Sequence, residues 1–219
     1  MHLEDCYFAE DVLYFPEGHC WISFRGDKAV LGPDTIIAWI TGKAARVSVR
    51  QPGTSIEPGR MVASLEGPRH FDVIRSPVRC TVTVANPDLE LNPSLVNKDP
   101  YGRGWLAEVK VAAGNDVSSS LKSFHEAAPL FEKMITEMGV RCFKEFPDHE
   151  LYEIGTECSA VLVKLNDLLS GSDSGTVVHV VSDDPTAEVE LIRWSDQTGN
   201  RLLEARTEAN LRHFILKKS

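Results

Sequence analysis

Apolar and polar residues alternate in short runs between Cys20 and Ala113, and Gly, Pro, Asn and Asp separate the runs. This pattern is typical of β-strands joined by tight turns. The runs are CWISFRGDKAVLG, which turns at Gly26-Asp27, ARVSVRQPGTSIEPGRMVASLEG, with two strands around a Pro/Gly loop, VRCTVTVANPDLELNPSL and GWLAEVKVAA. Only PDTIIAWITG interrupts them, as a short helix. Residues 1–113 are therefore predicted to form a small all-β sandwich or barrel.

The period changes to that of a helix between Gly114 and Gly139. The apolar positions with helical spacing are Leu121, Phe124, Leu130, Phe131, Met134, Ile135 and Met138. Asp116 or one of Ser118 to Ser120 is expected as the N-cap, and Gly139 as the C-cap. Pro129 predicts a kink or two shorter helices. Residues 114–147 are thus interpreted as a helical segment and linker that ends in the boundary FKEFPDHE.

A second domain is predicted at 148–219, where the elements follow the order βαβαββ. They are the strand ELYEIG, a helix from Cys158 to Leu169 with one apolar face, the buried strand TVVHVV, a capped helix with Pro185 in its first turn, and a closing hairpin. This order predicts a two-layer α/β sandwich with both helices on one face of a four-stranded sheet. The whole chain is therefore assigned to the α+β class.

The composition and the net charge of the chain indicate which classes of partner it is suited to bind. Hydrophobic residues make up 42% of the chain and charged residues 25%, as in ordinary globular proteins, and the net charge is −9. An acidic chain is a poor ligand for nucleic acid or an anionic membrane. The sequence has no apolar run long enough to span a bilayer, and its start, MHLED, lacks the layout of a signal peptide. A cytoplasmic protein without nucleic-acid or membrane partners is predicted.

The five cysteines are odd in number, far apart and in no Cys-x-x-Cys arrangement. Such spacing fits neither a disulfide framework nor a zinc site, so reduced thiols are predicted. The seven histidines are also dispersed. No metal site is predicted.

The run LVNKDPYGRGWLAEVK, from Leu95 to Lys110, closely resembles the H-protein family of the glycine cleavage system. GHCWISFRGDKAVLG and PGTSIEPGRMVASLE resemble the family's first hairpin and the strand that leads to its carrier hairpin. The resemblance covers roughly residues 10–113. It implies a lipoyl-type β-sandwich, also called a barrel-sandwich hybrid, and partner enzymes of the glycine-cleavage or lipoate-handling type.

In that family a lysine at the tip of the carrier hairpin holds lipoate in an amide bond. In LEGPRHFDVIRSPV, counting from Glu66 to Pro77 places this position on Arg69 without a gap. A guanidinium stays protonated, so it cannot act as the amine nucleophile. No lipoate and no cofactor-binding residue are therefore expected.

Two interpretations of the tip remain open. Arg69 and His70 form an exposed basic contact for a protein partner or an anionic ligand, and His70 adds pH sensitivity to it. Alternatively they form a solvated turn without a role, in which Asp72 simply pairs with Arg69. Tyr101 and Trp105 are expected in the core and in turns.

The C-terminal region resembles the TusA-type sulfur-carrier family, also known as SirA-like. The matching features are a strand ending in Gly-x-x-Cys, a helix beginning at that cysteine, a strand running into Asp-Asp-Pro, a second helix and a final hairpin. In this family the cysteine carries sulfur as a persulfide. The resemblance places that role on Cys158, and a helix N-terminus favours the thiolate that such exchange requires.

Cys158 also departs from the family pattern. The Cys-Pro-x-Pro motif is replaced by Cys158-Ser159-Ala160-Val161, and Glu157 would raise the pKa of the thiol. The alternative is a buried cysteine that acts as a small hydrophobe. Asp183, Asp184 and Pro185 are expected as a helix cap and entry. The other cysteines are expected to be structural, although Cys6 or Cys142 near a tip could accept sulfur.

The leading hypothesis is a two-domain carrier, sulfurtransferase-like at most, that relays sulfur through Cys158 and docks partners of sulfur-transfer or lipoyl type. The first alternative is a non-catalytic binding or regulatory module for glycine-cleavage or lipoate-handling enzymes. The second is a divergent glycine cleavage H-protein, which the arginine at position 69 disfavours.

Overall fold

The alternating N-terminal runs form short strands. The computed structural model describes residues 1–113 and 120–219, in two units, Met1–Cys142 and Phe143–Ser219. The strands of unit 1 are β1 (His2–Leu3), β2 (Cys6–Tyr7), β3 (Leu13–Phe15), β4 (Cys20–Arg25), β5 (Lys28–Pro33), β6 (Arg46–Val49), β7 (Ser55–Ile56), β8 (Met61–Glu66), β9 (Phe71–Arg75), β10 (Cys80–Ala85) and β11 (Ala107–Val111). Its helices are α1 (Thr35–Ile40), α2 (Asp88–Leu91), α3 (Leu95–Lys98) and α4 (Phe124–Met138).

Two sheets enclose the main core of unit 1. One has six strands in the order β3-β4-β5-β11-β10-β7, and the other has three in the order β6-β8-β9. Ile22, Leu31 and Val109 of the first sheet lie in one buried cluster with Leu65 and Ile74 of the second. Burial of these side chains from both sheets is what holds the two sheets together.

Helix α4 begins at a capping box and ends at a left-handed glycine. Ser123 is the N-cap, and Ser123 and Glu126 each accept a hydrogen bond from the other's backbone N–H. The earlier caps expected from the sequence, Asp116, Ser118 and Ser119, lie outside the described residues, and Ser120 lies in a turn. Gly139, with φ of 62°, ends the helix as predicted.

Pro129 does not divide α4, so the expectation of two shorter helices was wrong. The helix runs through Pro129 as one 15-residue element. Its buried face packs against the N-terminal segment of unit 1, which compensates for the lost N–H of proline. This second buried cluster includes Phe8, Tyr14, Ile36, Phe124, Ala127, Phe131 and Ile135. The stretch 114–147 is thus shared: α4 belongs to unit 1, residues 143–147 belong to unit 2, and 114–119 are not described.

Unit 2 has two helices and four strands. They are β12 (His149–Glu153), α5 (Cys158–Ser170), β13 (Val177–Ser182), α6 (Ala187–Thr198), β14 (Arg201–Glu208) and β15 (Leu211–Lys217). The sheet order is β12-β13-β15-β14, with only β12 and β13 parallel among these strands. Leu165 of α5 and Leu191 of α6 share a buried cluster with Val178, Val180 and Phe214, so both helices cover one face. Pro185 precedes α6 and is not in its first turn.

Across the described residues the chain mixes helices with several sheets, which agrees with the predicted α+β class. No helix in residues 1–113 or 120–219 combines the length and apolar character that crossing a bilayer requires.

Candidate functional site

Arg69 lies at the tip of the hairpin formed by β8 and β9. The strands pair up to Glu66 and Phe71, and the N–H of Gly67 donates to the carbonyl of His70 at 3.1 Å. Arg69 and His70 are exposed, and Phe71 is 62% exposed. The hairpin therefore presents a long cationic side chain beside an imidazole and an aromatic ring.

The tip is fixed in place by the end of α1. The N–H of Arg69 donates to the carbonyl of Thr41 at 3.3 Å. A Cβ at Gly67 would lie 2.3 Å from the same oxygen, so only glycine fits there. Gly42 has a φ of +74°, which favours glycine, and a Cβ there would lie 3.2 Å from the side chain of Pro68. These contacts pre-organise the backbone that carries Arg69.

Asn97, from the LVNKDPYGRGW run, fixes the loop on which the tip rests. Its side-chain amide donates to the carbonyl of Gly42 at 2.9 Å and accepts from the N–H of Ala44 at 2.8 Å. Tyr101 and Trp105 of the same run are partly buried against the second cluster, as predicted. The run therefore has a structural role that reaches the tip.

Charged side chains next to the tip pair locally. Nε2 of His70 lies 3.3 Å from Oδ2 of Asp72. His19 lies 3.3 Å from the buried carboxylate of Asp34. Burial lowers the pKa of His19, but Asp34 and Asp72 together outweigh burial and raise it. His19 was not singled out from the sequence, and no local pattern there marks it.

The tip chemistry does not fit a lipoyl group. Amide formation requires an amine that can lose its proton, whereas the tip position holds the guanidinium of Arg69. We derive no step through a lipoyl group for this chain.

Cys158 is the first residue of α5, and its surroundings already satisfy the start of that helix. Its N–H donates to Oδ2 of Asp184 at 2.8 Å, and Oδ1 of Asp184 accepts from the N–H of Thr186 at 2.8 Å. The N–H of Gly155 donates to Asp183 at 2.8 Å. A carboxylate therefore occupies the position where a thiolate would gain from the helix dipole.

The thiol of Cys158 is buried and hard to ionise. Cys158 is 3% exposed and belongs to the core cluster under the two helices. Burial, with smaller effects from Asp184 and Glu190, raises its pKa to about 11. This is the opposite of the shift predicted from the helix N-terminus alone, because burial of the thiol disfavours the thiolate and Asp184 adds to that effect.

The prediction of five reduced thiols was wrong for one pair. Cys6 and Cys142 form a disulfide, with Cα atoms 5.0 Å apart and a sequence separation of 136. The spacing of the cysteines along the chain does not indicate which of them meet in space when they lie this far apart in sequence. The two residues are therefore bonded to each other, and not separate sulfur acceptors at a tip. Cys20, Cys80 and Cys158 are free and buried.

Within the described ranges, no group of three or more His, Cys, Asp or Glu side chains is arranged to hold a metal ion. The two histidines of unit 2 that meet, His179 and His213, face each other at 3.0 Å as a buried hydrogen-bonded pair. Phe143 packs over His179, with ring centroids 4.6 Å apart.

The glycine cleavage H-protein family model matches residues 13–134. A probable glycine cleavage system H protein 2 from Sulfurisphaera tokodaii is 36% identical over 113 residues, 50% of this chain and 76% of that protein. Glycine cleavage system H protein 5 from Aquifex aeolicus is 30% identical over 141 residues, 63% of this chain and 95% of that protein. The crystal structure of an H protein from Mycobacterium marinum superimposes with a TM-score of 0.49 at 19% identity, covering 61% of this chain and 100% of that one.

The matched range exceeds half of the 219 residues, and the chain belongs to the glycine cleavage H-protein family. The resemblance predicted from the LVNKDPYGRGW run is thereby confirmed. The family model ends within α4, at residue 134, so the fold of unit 2 lies outside the matched range.

Proposed function

We propose that this chain is a divergent H-protein that docks with partner enzymes through its hairpin tip and carries no lipoyl group. The observation that carries the proposal is Arg69, an exposed arginine on the rigid tip of a family hairpin. The partners are enzymes that act in glycine cleavage, the system that the relatives' names state, or enzymes that handle lipoyl groups.

Rigidity at the tip supports docking. A surface that is ordered before binding loses little conformational entropy in the complex. Gly67 and Gly42 allow the closest approach of the tip to the end of α1, and a bond to Thr41 holds the backbone of Arg69. These contacts hold the tip in the conformation that presents Arg69.

The side chains at the tip also suit a protein interface. Arginine and aromatic residues are enriched among the side chains that dominate binding energy. Arg69 stands next to His70 and to Phe71, whose ring is largely exposed. On a chain with net charge −9, this cationic tip would select a partner surface that contains carboxylates.

Replacing Arg69 by alanine is expected to weaken binding to the partner enzyme about tenfold, as for a typical interface arginine. The measurement is a calorimetric titration of glycine-cleavage and lipoate-handling enzymes with each variant. Arg75→Ala is the control, since Arg75 is exposed at the opposite end of the same hairpin, where it pairs with Met61. Equal affinities for Arg69→Ala and the wild type would show that the tip is only a solvated turn.

For the finer architecture, we propose that unit 1 is a lipoyl-type β-sandwich of the barrel-sandwich hybrid kind and that unit 2 is TusA-like. The two sheets around one core support the first assignment. The order β12-α5-β13-α6-β14-β15, with both helices on one face, supports the second.

Sulfur relay through Cys158 is the second candidate function, with sulfur-transfer proteins as partners. The observation in its favour is that Cys158 is the first residue of α5. Against it stand the burial of the thiol and its raised pKa, since thiolate is the form that accepts sulfur. The docking function is therefore preferred.

Incubation with a cysteine desulfurase and cysteine is expected to leave Cys158 without added sulfur, because its thiol is buried and protonated at neutral pH. Intact mass after incubation is the measurement, and Cys158→Ala is the matched control. If the wild type gains one sulfur and Cys158→Ala does not, sulfur relay through Cys158 would be the function of unit 2, and docking through Arg69 would no longer be preferred.

A further inference from the structure

The disulfide between Cys6 and Cys142 lies at the end of unit 1. Cys6 is in β2, near the start of the chain, and Cys142 is the last residue of unit 1, directly before Phe143 of unit 2. The bond therefore attaches the segment that leads into unit 2 to the N-terminal strand pair of unit 1.

Both ends of this bond lie in segments with little regular structure. Strands β1 and β2 have two residues each, and the turn between them, Glu4 and Asp5, has positive φ angles of 45° and 68°. Residues 140–143 belong to no helix or strand. Both sulfurs are buried in the second cluster, so exchange requires the two short strands and residues 140–143 to open locally. Thiol exchange at the pair therefore does not require unfolding of either sheet.

The other cysteines are poor competitors for exchange. Cys20 and Cys80 are buried in the main core of unit 1, and burial raises the pKa of both thiols. Cys158 is buried in unit 2 with a raised pKa as well. Thiol exchange is thus expected first at the Cys6–Cys142 pair, because Cys20, Cys80 and Cys158 lie in longer strands or in a helix.

We propose that the Cys6–Cys142 disulfide is a reversible redox latch on the segment that joins the two units. In the oxidised state the latch holds residues 140–142 on unit 1 by a covalent bond. In the reduced state only non-covalent packing, including that of Val140 in the second buried cluster, holds them. The junction then opens more often and becomes accessible.

The latch closes by exchange with a small-molecule or protein disulfide. The thiolate of one cysteine attacks the reagent disulfide, forms a mixed disulfide and releases one reagent thiol. The second cysteine attacks the mixed disulfide, forms the Cys6–Cys142 bond and releases the second reagent thiol. The two cysteines lose two protons and two electrons, and the reagent gains them. Opening is the reverse reaction with a dithiol.

The oxidation state of Cys6 and Cys142 is measured by alkylating the free thiols and determining the intact mass of the chain. Protein purified without reductant, denatured and treated with iodoacetamide is expected to show three alkylated cysteines, and five after dithiothreitol. Native protein equilibrated in glutathione buffers is expected to shift between the two states across the buffer range. Five alkylated cysteines before reduction would overturn the proposal. A disulfide that persists at the reducing extreme would also overturn it, because the bond would then be purely structural.

Trypsin reports on the junction in the native chain. Arg141 is exposed, and cleavage after it is expected to be roughly tenfold faster once the disulfide is reduced. Cys142→Ser and Cys6→Ser are each expected to match the reduced rate with or without dithiothreitol, whereas Cys158→Ser should follow the wild type. Equal rates for the oxidised and reduced wild type, which needs no variant to fold, would overturn the latch.

Discussion

Changing Arg69 to lysine is expected to convert a chain that gains no lipoyl group into one that gains a single group. The resemblance places the family's lysine position on Arg69, which lies at the exposed tip of the hairpin. Lysine would supply the amine that a guanidinium cannot, because an amine can lose its proton and attack an activated acyl group. The measurement is the intact mass of Arg69→Lys after co-expression with a lipoate ligase in medium containing lipoate.

Arg75→Lys is the matched control, since it introduces the same side chain on the same hairpin away from the tip. If neither variant gained mass while a lipoylated relative was modified in the same cells, the account would be contradicted. The tip would then not present its side chain as the carrier hairpin of the family does. A lipoyl adduct on Arg75→Lys would show that a lysine elsewhere on the hairpin is also modified. Lipoylation would then not depend on position 69.

Replacing Gly67 by alanine is expected to lower the free energy of unfolding of unit 1 by ~2–4 kcal/mol. The added Cβ would lie 2.3 Å from the carbonyl oxygen of Thr41, and a backbone atom cannot give way as a flexible side chain can. The tip would have to move off α1. Urea unfolding followed by tryptophan fluorescence is the measurement, since Trp21, Trp39 and Trp105 belong to unit 1.

Gly171→Ala provides the comparison, because nothing lies within 4 Å of a Cβ at Gly171 and its φ is −92°. That variant is expected to keep its stability or gain slightly from the reduced freedom of the unfolded chain. If Gly67→Ala were as stable as Gly171→Ala, the contact between the tip and Thr41 would not hold the hairpin in place.

Elements that depend on neighbours in sequence could be predicted. The turn at Gly26-Asp27 joins β4 and β5 as expected, and Gly139 ends α4. Both follow from local rules, since a turn or cap is determined by a few adjacent residues. That α4 continues through Pro129 as one helix could not be predicted, because the packing of α4 on the N-terminal segment is a long-range contact.

The parts of the site that could not be predicted all join distant residues. The bond from Arg69 to Thr41, the carboxylate of Asp184 on the N–H of Cys158, and the Cys6–Cys142 disulfide span 28, 26 and 136 positions. Nothing in the residues around each partner indicates the other. The sequence could therefore identify the tip and the helix start, but not what surrounds them.

The proposal that the chain docks with partner enzymes but carries no lipoyl group is tested most directly with the wild-type chain, a lipoate ligase, ATP and lipoate. A titration measures binding to the ligase, and the intact mass of the recovered chain measures modification. We predict saturable binding and an unchanged mass, because Arg69 offers the enzyme a docking residue and no acceptor amine. A lipoyl adduct on the wild-type chain, or no binding while a lipoylated relative binds, would contradict the account.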